Sequence, residues 1–119
     1  MQTLQMTTRE TFQHHLEAFG KNDIEELMKD YTEYSEVWTP EGPIAGLDAI
    51  SSFFTYAFTL FPKDATSLEI KQMIVKGDKL YVVWNANSPI VNVPIGTDSF
   101  EIIDGKISWQ STAIHVIQK

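Results

Sequence analysis

Cysteine is absent from the sequence, which excludes disulfide cross-links, thiolate metal sites and thiol nucleophiles and fits a reducing compartment. Positive charge is scarce, with nine Lys and Arg against 16 Asp and Glu and a formal net charge of -7. Nucleic acids and anionic membrane surfaces bind clustered positive charge, so neither is expected as a partner. No run approaches the ~18 apolar residues that cross a bilayer, and residues 1–13 lack the apolar core of a signal peptide. We therefore expect a cytoplasmic protein.

The composition that remains is typical of one globular domain. The chain has 119 residues, of which 43% are hydrophobic and 21% are charged. A chain of this size buries roughly two-thirds of its unfolded surface, which is enough for one ordinary core. No internal repeat or linker interrupts it, so a single domain over residues 1–119 is expected.

The N-terminal half carries helical patterns. Thr7 or Thr8 is suited to cap a first helix that Gly20 ends. Asp23 is suited to cap a second helix, whose apolar positions run on to Tyr31. A strand is expected over residues 34–39, then a Pro/Gly corner, then a third helix from about Leu47 that Pro62 ends. The first and third helices each have one apolar face, formed by Phe12, His15, Leu16 and Phe19 and by Ile50, Phe53, Phe54, Ala57, Phe58 and Phe61.

The C-terminal half is strand-like. Strands are predicted over residues 68–76, 79–88, 91–103 and 106–117, with hairpin signals at Gly77-Asp78 and Asp104-Gly105. The order is helix, helix, strand, helix and then four strands. This order predicts an α+β fold in which an antiparallel sheet carries the helices on one face.

Asp98 is the first candidate for chemistry. Side chains alternate along a strand, so Asp98, Phe100 and Ile102 share one face. If that face is the inner one, the carboxyl group is desolvated and its proton affinity is raised. The alternative is an Asp at the end of a strand that meets solvent or binds backbone in the adjacent VPIGT loop.

His15 is the second candidate, because it lies on the apolar face of the first helix between Phe12 and Phe19. It is either a pocket donor that titrates near neutrality or a structural residue among core aromatics. His14 is offset by about 100° on the helix and should face outward or sideways.

Two further pairs depend on strand register. Thr39 and Glu41 share a face unless Pro40 breaks the register, and Glu41 is either a base or a solvated loop charge. On the last strand Gln110 and Thr112 face inward in one register, and Trp109 and Ser111 in the other. The sequence has no HExxH, P-loop, GxGxxG or GxSxG motif, so no metal site and no cofactor is predicted.

The element order and two segments, VWTPEGPIAGLDAISSFF and PIGTDSFEIIDGKISWQS, resemble the nuclear transport factor 2-like superfamily. This superfamily includes ketosteroid isomerases and SnoaL-like polyketide cyclases. The resemblance implies a cystatin-like cone, in which a curved antiparallel sheet wraps around the helices and leaves a pocket at its open end. It also implies a homodimer formed through the outer sheet face, for which Tyr81, Trp84 or Trp109 are candidates.

The resemblance to ketosteroid isomerase also implies roles for single residues. The isomerase has a proton-moving Asp before a Pro, and here Thr39 stands at that position, so the base is missing. A Tyr on the first helix corresponds to His15. A protonated Asp corresponds to Asp98, with two extra residues between Ile95 and Asp98. SnoaL-like cyclases use a pocket Asp as acid and base, and Asp98 is suited to that role as well.

We therefore expect a SnoaL-like pocket protein that binds an apolar small molecule. One interpretation is acid–base chemistry of the isomerase or cyclase type, with Asp98 and His15 stabilising an enolate-like oxygen and Glu41 or water moving the proton. Non-catalytic binding in the same pocket is a second interpretation, and a dimeric interaction module is a third. The expected ligand-binding residues are Thr39, Phe54, Phe58, Phe100 and Gln110.

Overall fold

The computed structural model describes residues 6–119. Residues 1–5, which belong to the segment examined for a signal peptide, lie outside the described residues. The described part has three helices, α1 (Thr8–Gly20), α2 (Ile24–Met28) and α3 (Leu47–Leu60). It has six strands, which are β1 (Tyr31–Thr39), β2 (Gly42–Ala45), β3 (Ser67–Lys76), β4 (Lys79–Asn87), β5 (Val91–Ile103) and β6 (Lys106–Gln118).

These strands form one sheet in the order β2-β1-β6-β5-β4-β3. All neighbours are antiparallel except β1 and β6, which run parallel. The register shifts within β1–β6, β3–β4, β4–β5 and β5–β6, and such irregularities bend a sheet. The predicted α+β fold, with its helices before a curved antiparallel meander, is confirmed.

The expected Pro/Gly corner contains a strand that the sequence did not predict. Strand β2 pairs with β1, and Pro43 lies opposite Trp38. Proline donates no backbone hydrogen bond, but β2 is at the edge of the sheet and has no neighbour on its other side. Pro43 therefore does not prevent β2 from pairing with β1.

The helix ends follow the predicted caps. Thr7 and Glu10 form a capping box at the start of α1, and Asp23 accepts a hydrogen bond from the backbone of Glu26 at the start of α2. Helix α2 ends at Met28, however, and Tyr31 begins β1 instead of extending the apolar face of α2. Strand β1 thus begins three residues earlier than the predicted Tyr34, and this places Tyr31 in the core.

The core lies between the helices and the concave face of the sheet. Phe12 of α1 packs edge to face on Phe100 of β5, with ring centroids 5.4 Å apart. Burying a side chain of this size contributes roughly 1.5–3 kcal/mol. Asp98, Phe100 and Ile102 are all buried, as is Gln110 on β6. The sheet therefore has the register that turns Asp98 and Gln110 inward, and the alternative with Trp109 inward is wrong.

The convex face of the sheet carries exposed aromatic and aliphatic side chains. Trp38 packs edge to face on Trp109 at 5.4 Å, and Tyr81 and Ile74 are also exposed on this side. Trp84, which the sequence suggested for this face, instead lines the concave side. The expected homodimer stays a prediction.

His14 joins α1 to α2 and to the start of β1. Its Nδ1 lies 2.8 Å from both carboxylate oxygens of Asp30, and its Nε2 lies 2.8 Å from Oε1 of Glu26. Both ring nitrogens face carboxylates, an arrangement that favours the imidazolium form, although burial also raises the pKa of Asp30. Hydrogen bonds to Glu26 and then to Asp30 raise the pKa of His14. The side chain points sideways, towards α2, as the helical offset predicted.

Replacing His14 should destabilise the fold in a pH-dependent way. Asp30 is 2% exposed, so His14→Gln leaves a buried carboxylate short of donors and should lower the free energy of unfolding by about 1–3 kcal/mol. The pKa of His14 is raised above the unfolded value of 6.5, so this stabilisation is complete below pH 6.5. It is lost as pH rises through the folded pKa. Urea denaturation at a series of pH values measures the difference from the wild type.

Glu26→Gln is the matched control for this prediction. It removes the second partner of the same imidazole, but the Glu26 side chain is 42% exposed, so its loss should cost less than that of His14. The free energy of unfolding of the wild type is compared with that of His14→Gln at each pH. If the difference between them stays constant as pH rises above 6.5, the imidazolium assignment is contradicted.

Candidate functional site

A cavity of about 110 Å³, partly open to solvent, lies between α1, α3 and the concave face of the sheet. For comparison, an apolar protein cavity of roughly 150 Å³ binds benzene. Most of the wall of the cavity in this domain is apolar, and the polar side chains in it come from α1 and from strands β5 and β6. The apolar wall includes Phe12, Phe53, Phe54, Phe61, Ile70 and Phe100.

Five of the seven predicted site residues line this cavity, namely His15, Phe54, Asp98, Phe100 and Gln110. Thr39 does not, because its hydroxyl donates to the carbonyl of Gly42 at 3.0 Å and closes the turn between β1 and β2. Phe58 is not among the lining residues either, and its ring packs on that of Phe19 with centroids 5.5 Å apart. Glu41 is exposed in the same turn as Thr39 and is not among the lining residues, so it is not placed to act as a base.

The Asp98 carboxylate accepts three hydrogen bonds. Oδ1 accepts from Nε1 of Trp84 at 2.9 Å and from the hydroxyl of Thr112 at 3.2 Å. Oδ2 accepts from Nε2 of Gln110 at 2.9 Å. The register of β4, β5 and β6 fixes this group, since Thr112 lies directly opposite Asp98.

Burial and hydrogen bonding act on Asp98 in opposite directions. The side chain is 8% exposed, and burial raises the pKa of Asp98, while the three donors lower it by a smaller amount. The N–H groups of Trp84 and Gln110 can only donate, one to each carboxyl oxygen, so the contacts favour the ionised form although burial raises the pKa. This pattern differs from the neutral, donating Asp98 that the resemblance to ketosteroid isomerase implied.

A chain of hydrogen bonds runs from Asp98 through Gln110 and Tyr31 to His15. The Tyr31 hydroxyl donates to Oε1 of Gln110 at 2.5 Å, and its oxygen lies 3.4 Å from Nδ1 of His15. The sequence reasoning missed Tyr31 because it placed this residue at the end of α2. Alternation along an earlier strand would not have found Tyr31 either, because Glu33 is exposed and the register of β1 shifts between Tyr31 and Glu36.

His15 is buried among aromatic rings. Its imidazole meets Tyr31, Phe54 and Phe100 edge to face, with ring centroids 5.6–6.0 Å apart. Burial, and then the charge on His14, lower the pKa of His15 to about 4. The pKa values of the two adjacent histidines therefore shift in opposite directions, since hydrogen bonds to carboxylates raise that of His14 and burial lowers that of His15, which is a neutral imidazole in the cavity wall.

A sequence model of the SnoaL-like domain family matches residues 12–110. The match covers most of the chain and includes His15, Tyr31, Trp84, Asp98 and Gln110. This chain belongs to the SnoaL-like domain family. The superfamily that the sequence resemblance suggested is thus confirmed. No curated protein matches this SnoaL-like chain.

Solved structures share the fold of this SnoaL-like domain at low sequence identity. An NTF2-like protein of unknown function from Cytophaga hutchinsonii is 13% identical, with a TM-score of 0.76 and coverage of 96% of this chain and 95% of that chain. A candidate ketosteroid isomerase from Kribbella flavida is 18% identical, with a TM-score of 0.74 and coverage of 95% and 82%. A candidate SnoaL-like polyketide cyclase from Shewanella putrefaciens is 12% identical, with a TM-score of 0.73 and coverage of 90% and 79%. At these identities the similarity shows the fold alone.

No helix within residues 6–119 of the SnoaL-like domain is both long enough and apolar enough to cross a membrane.

Gly96 makes room for the contact between Trp84 and Asp98. Trp84 and Gly96 are directly opposed on β4 and β5, and the indole lies over the glycine. A Cβ atom on residue 96 would fall 2.4 Å from Cε2 of Trp84 and 3.0 Å from Cγ2 of Ile114. The missing side chain lets the indole N–H reach the carboxylate two residues further along β5.

Gly96→Ala should displace the Trp84 indole. The added methyl group overpacks the site by about 1–3 kcal/mol, and moving the ring away breaks its hydrogen bond to Asp98. The indole N–H resonance of Trp84 in a ¹H–¹⁵N spectrum should shift, and the free energy of unfolding should fall.

Gly20→Ala is the control, because a Cβ there meets nothing within 4 Å and alanine is favourable at a helical position. An unshifted Trp84 resonance in Gly96→Ala would show that Gly96 does not position the indole.

Proposed function

We propose that this SnoaL-like domain binds an apolar small molecule in its cavity, with a polar group of that molecule at the end where His15 and Asp98 lie. The observation that carries the proposal is an apolar wall combined with a short buried chain of polar side chains. Ligand sites commonly have this composition, because the wall supplies affinity and a few polar groups fix orientation. The volume of about 110 Å³ suits a single ring, and the opening leaves room for a longer molecule to extend outward.

Acid–base chemistry of the isomerase or cyclase type is the second candidate function. The supporting observation is the neutral imidazole of His15, whose depressed pKa of about 4 keeps it unprotonated in the cavity. Thr39 and Glu41 supply no base, so a proton would move through His15 itself. A molecule recovered unchanged after incubation with the protein would favour binding alone, and conversion that His15→Gln abolishes would favour catalysis.

Narrowing the cavity should weaken ligand binding. Ala57 lines the wall from α3, so Ala57→Leu adds bulk within it and should raise the dissociation constant for a single-ring probe such as benzene about tenfold or more. Titration followed in ¹H–¹⁵N spectra measures the constant.

Ser52→Leu adds similar bulk on the exposed side of the same helix and should leave binding unchanged. If benzene does not bind the wild type, or binds both variants equally, the cavity is not the site.

The expected homodimer is checked separately by sedimentation equilibrium, in which a monomer at micromolar concentration would contradict it.

A further inference from the structure

The orientation of the Gln110 side-chain amide follows from two distances. An amide presents either its oxygen or its nitrogen to a given neighbour. The contact of 2.5 Å with the Tyr31 hydroxyl lies in the range of O–H···O bonds and below that of N–H···O bonds. The contact of 2.9 Å with Asp98 fits N–H···O. The oxygen of Gln110 therefore faces Tyr31, and its nitrogen faces Asp98.

This orientation fixes the position of the proton on His15. A tyrosine hydroxyl has one hydrogen, and that of Tyr31 lies on the bond to Gln110. Towards His15 the Tyr31 oxygen offers only lone pairs, so the contact of 3.4 Å, which is long for a hydrogen bond, favours a hydrogen on Nδ1 of His15 over a second lone pair. A neutral imidazole carries one N–H, which leaves Nε2 with a lone pair.

All hydrogen bonds in the chain therefore point the same way. His15 donates to Tyr31, Tyr31 to Gln110 and Gln110 to Asp98. Trp84 and Thr112 also donate to Asp98, so their polar hydrogens are used. Nε2 of His15 has no hydrogen-bond partner among residues 6–119, and it is not one of the fully enclosed polar atoms that lack a partner there, which are Thr11 Oγ1 and Trp109 Nε1. Because His15 lines the cavity, Nε2 is the ring nitrogen left for a molecule in it.

We infer that the cavity selects a ligand that donates a hydrogen bond, namely an apolar ring bearing an N–H or O–H group, and that His15 Nε2 accepts it. This inference rests on the proposed ligand-binding function and adds the chemical class of the ligand. It reverses the expectation of a carbonyl or enolate oxygen at this position. An acceptor such as a carbonyl group would face the lone pair of Nε2 without a hydrogen between them.

Asp98→Asn should reverse the direction of the hydrogen bonds between residue 98 and His15 without moving the side chains that form them. Trp84 and Thr112 both donate to Oδ1, so the asparagine keeps its oxygen there and turns its NH₂ group towards Gln110. The Gln110 amide then turns over and donates to Tyr31. Tyr31 donates to Nδ1 of His15, and the imidazole hydrogen moves to Nε2. The variant should therefore accept ligands that the wild type disfavours.

Three rings of similar size test this inference. Benzene reports binding to the apolar cavity, pyrrole offers only an N–H donor, and pyridine offers only a nitrogen acceptor. Dissociation constants are measured by NMR titration at pH about 8, where neither His15 nor pyridine is protonated. The ratio of the pyridine constant to the pyrrole constant should fall about tenfold or more from the wild type to Asp98→Asn. Differences in ligand hydration cancel in this comparison.

Tyr31→Phe separates transmission along the chain from direct contact between Asp98 and the ligand. Tyr31→Phe removes the hydroxyl that links His15 to Gln110, so its ratio of the pyridine to the pyrrole constant should lie between those of the wild type and Asp98→Asn. Adding Asp98→Asn to Tyr31→Phe should change this ratio less than twofold. The Tyr31→Phe single variant tests the inference even if Asp98→Asn does not fold.

Each outcome has one meaning. Equal ratios in the wild type and in both single variants, with benzene bound, would overturn the inference and leave the proposed function standing. If Asp98→Asn changes the ratio of the pyridine to the pyrrole constant equally in the wild type and in Tyr31→Phe, Tyr31 does not transmit the effect of Asp98 to His15. Failure of all three rings to bind the wild type would instead remove the proposed function.

Discussion

The concave face of this domain depends on the buried carboxylate of Asp98. An ionised carboxylate on an apolar face is strongly disfavoured unless it is supplied with donors, and a single missing donor costs about 1–3 kcal/mol. Trp84, Gln110 and Thr112 meet this requirement from the two strands that flank β5. Each of these side chains is consequently held in one orientation, and the interior has a defined polarity as well as a defined shape.

The constraint extends to residues that do not touch Asp98. The indole reaches the carboxylate because Gly96 has no side chain beneath it. Gln110, turned by its bond to Asp98, presents its oxygen to Tyr31, which stands at the start of the parallel neighbour strand β1. Tyr31 in turn faces His15 on α1. One buried charge thus connects β4, β5, β6, β1 and the first helix, and its influence ends at a ring nitrogen in the cavity wall.

The sequence was sufficient for those features that follow from periodicity within one element. Alternation along β5 placed Asp98 on the same face as Phe100, which the structure turns inward, and the helical spacing of α1 placed His15 on the apolar face. Features set by contacts between elements were not predictable in this way. Tyr31 and Gln110 are 79 positions apart, and the position of Trp84 depends on a glycine in the neighbouring strand. The extra strand β2 was missed because Pro43 disrupts a sheet interior but is tolerated at its edge.

The donors around Asp98 determine which nitrogen of His15 carries the proton. The position of this proton can be read from the ¹⁵N spectrum of the His15 imidazole near neutral pH, recorded through long-range couplings to the ring protons. The structure predicts a hydrogen on Nδ1 and a bare Nε2, the reverse of the tautomer that free histidine favours. A hydrogen on Nε2 would show that the hydrogen bonds from His15 to Asp98 do not run in the inferred direction.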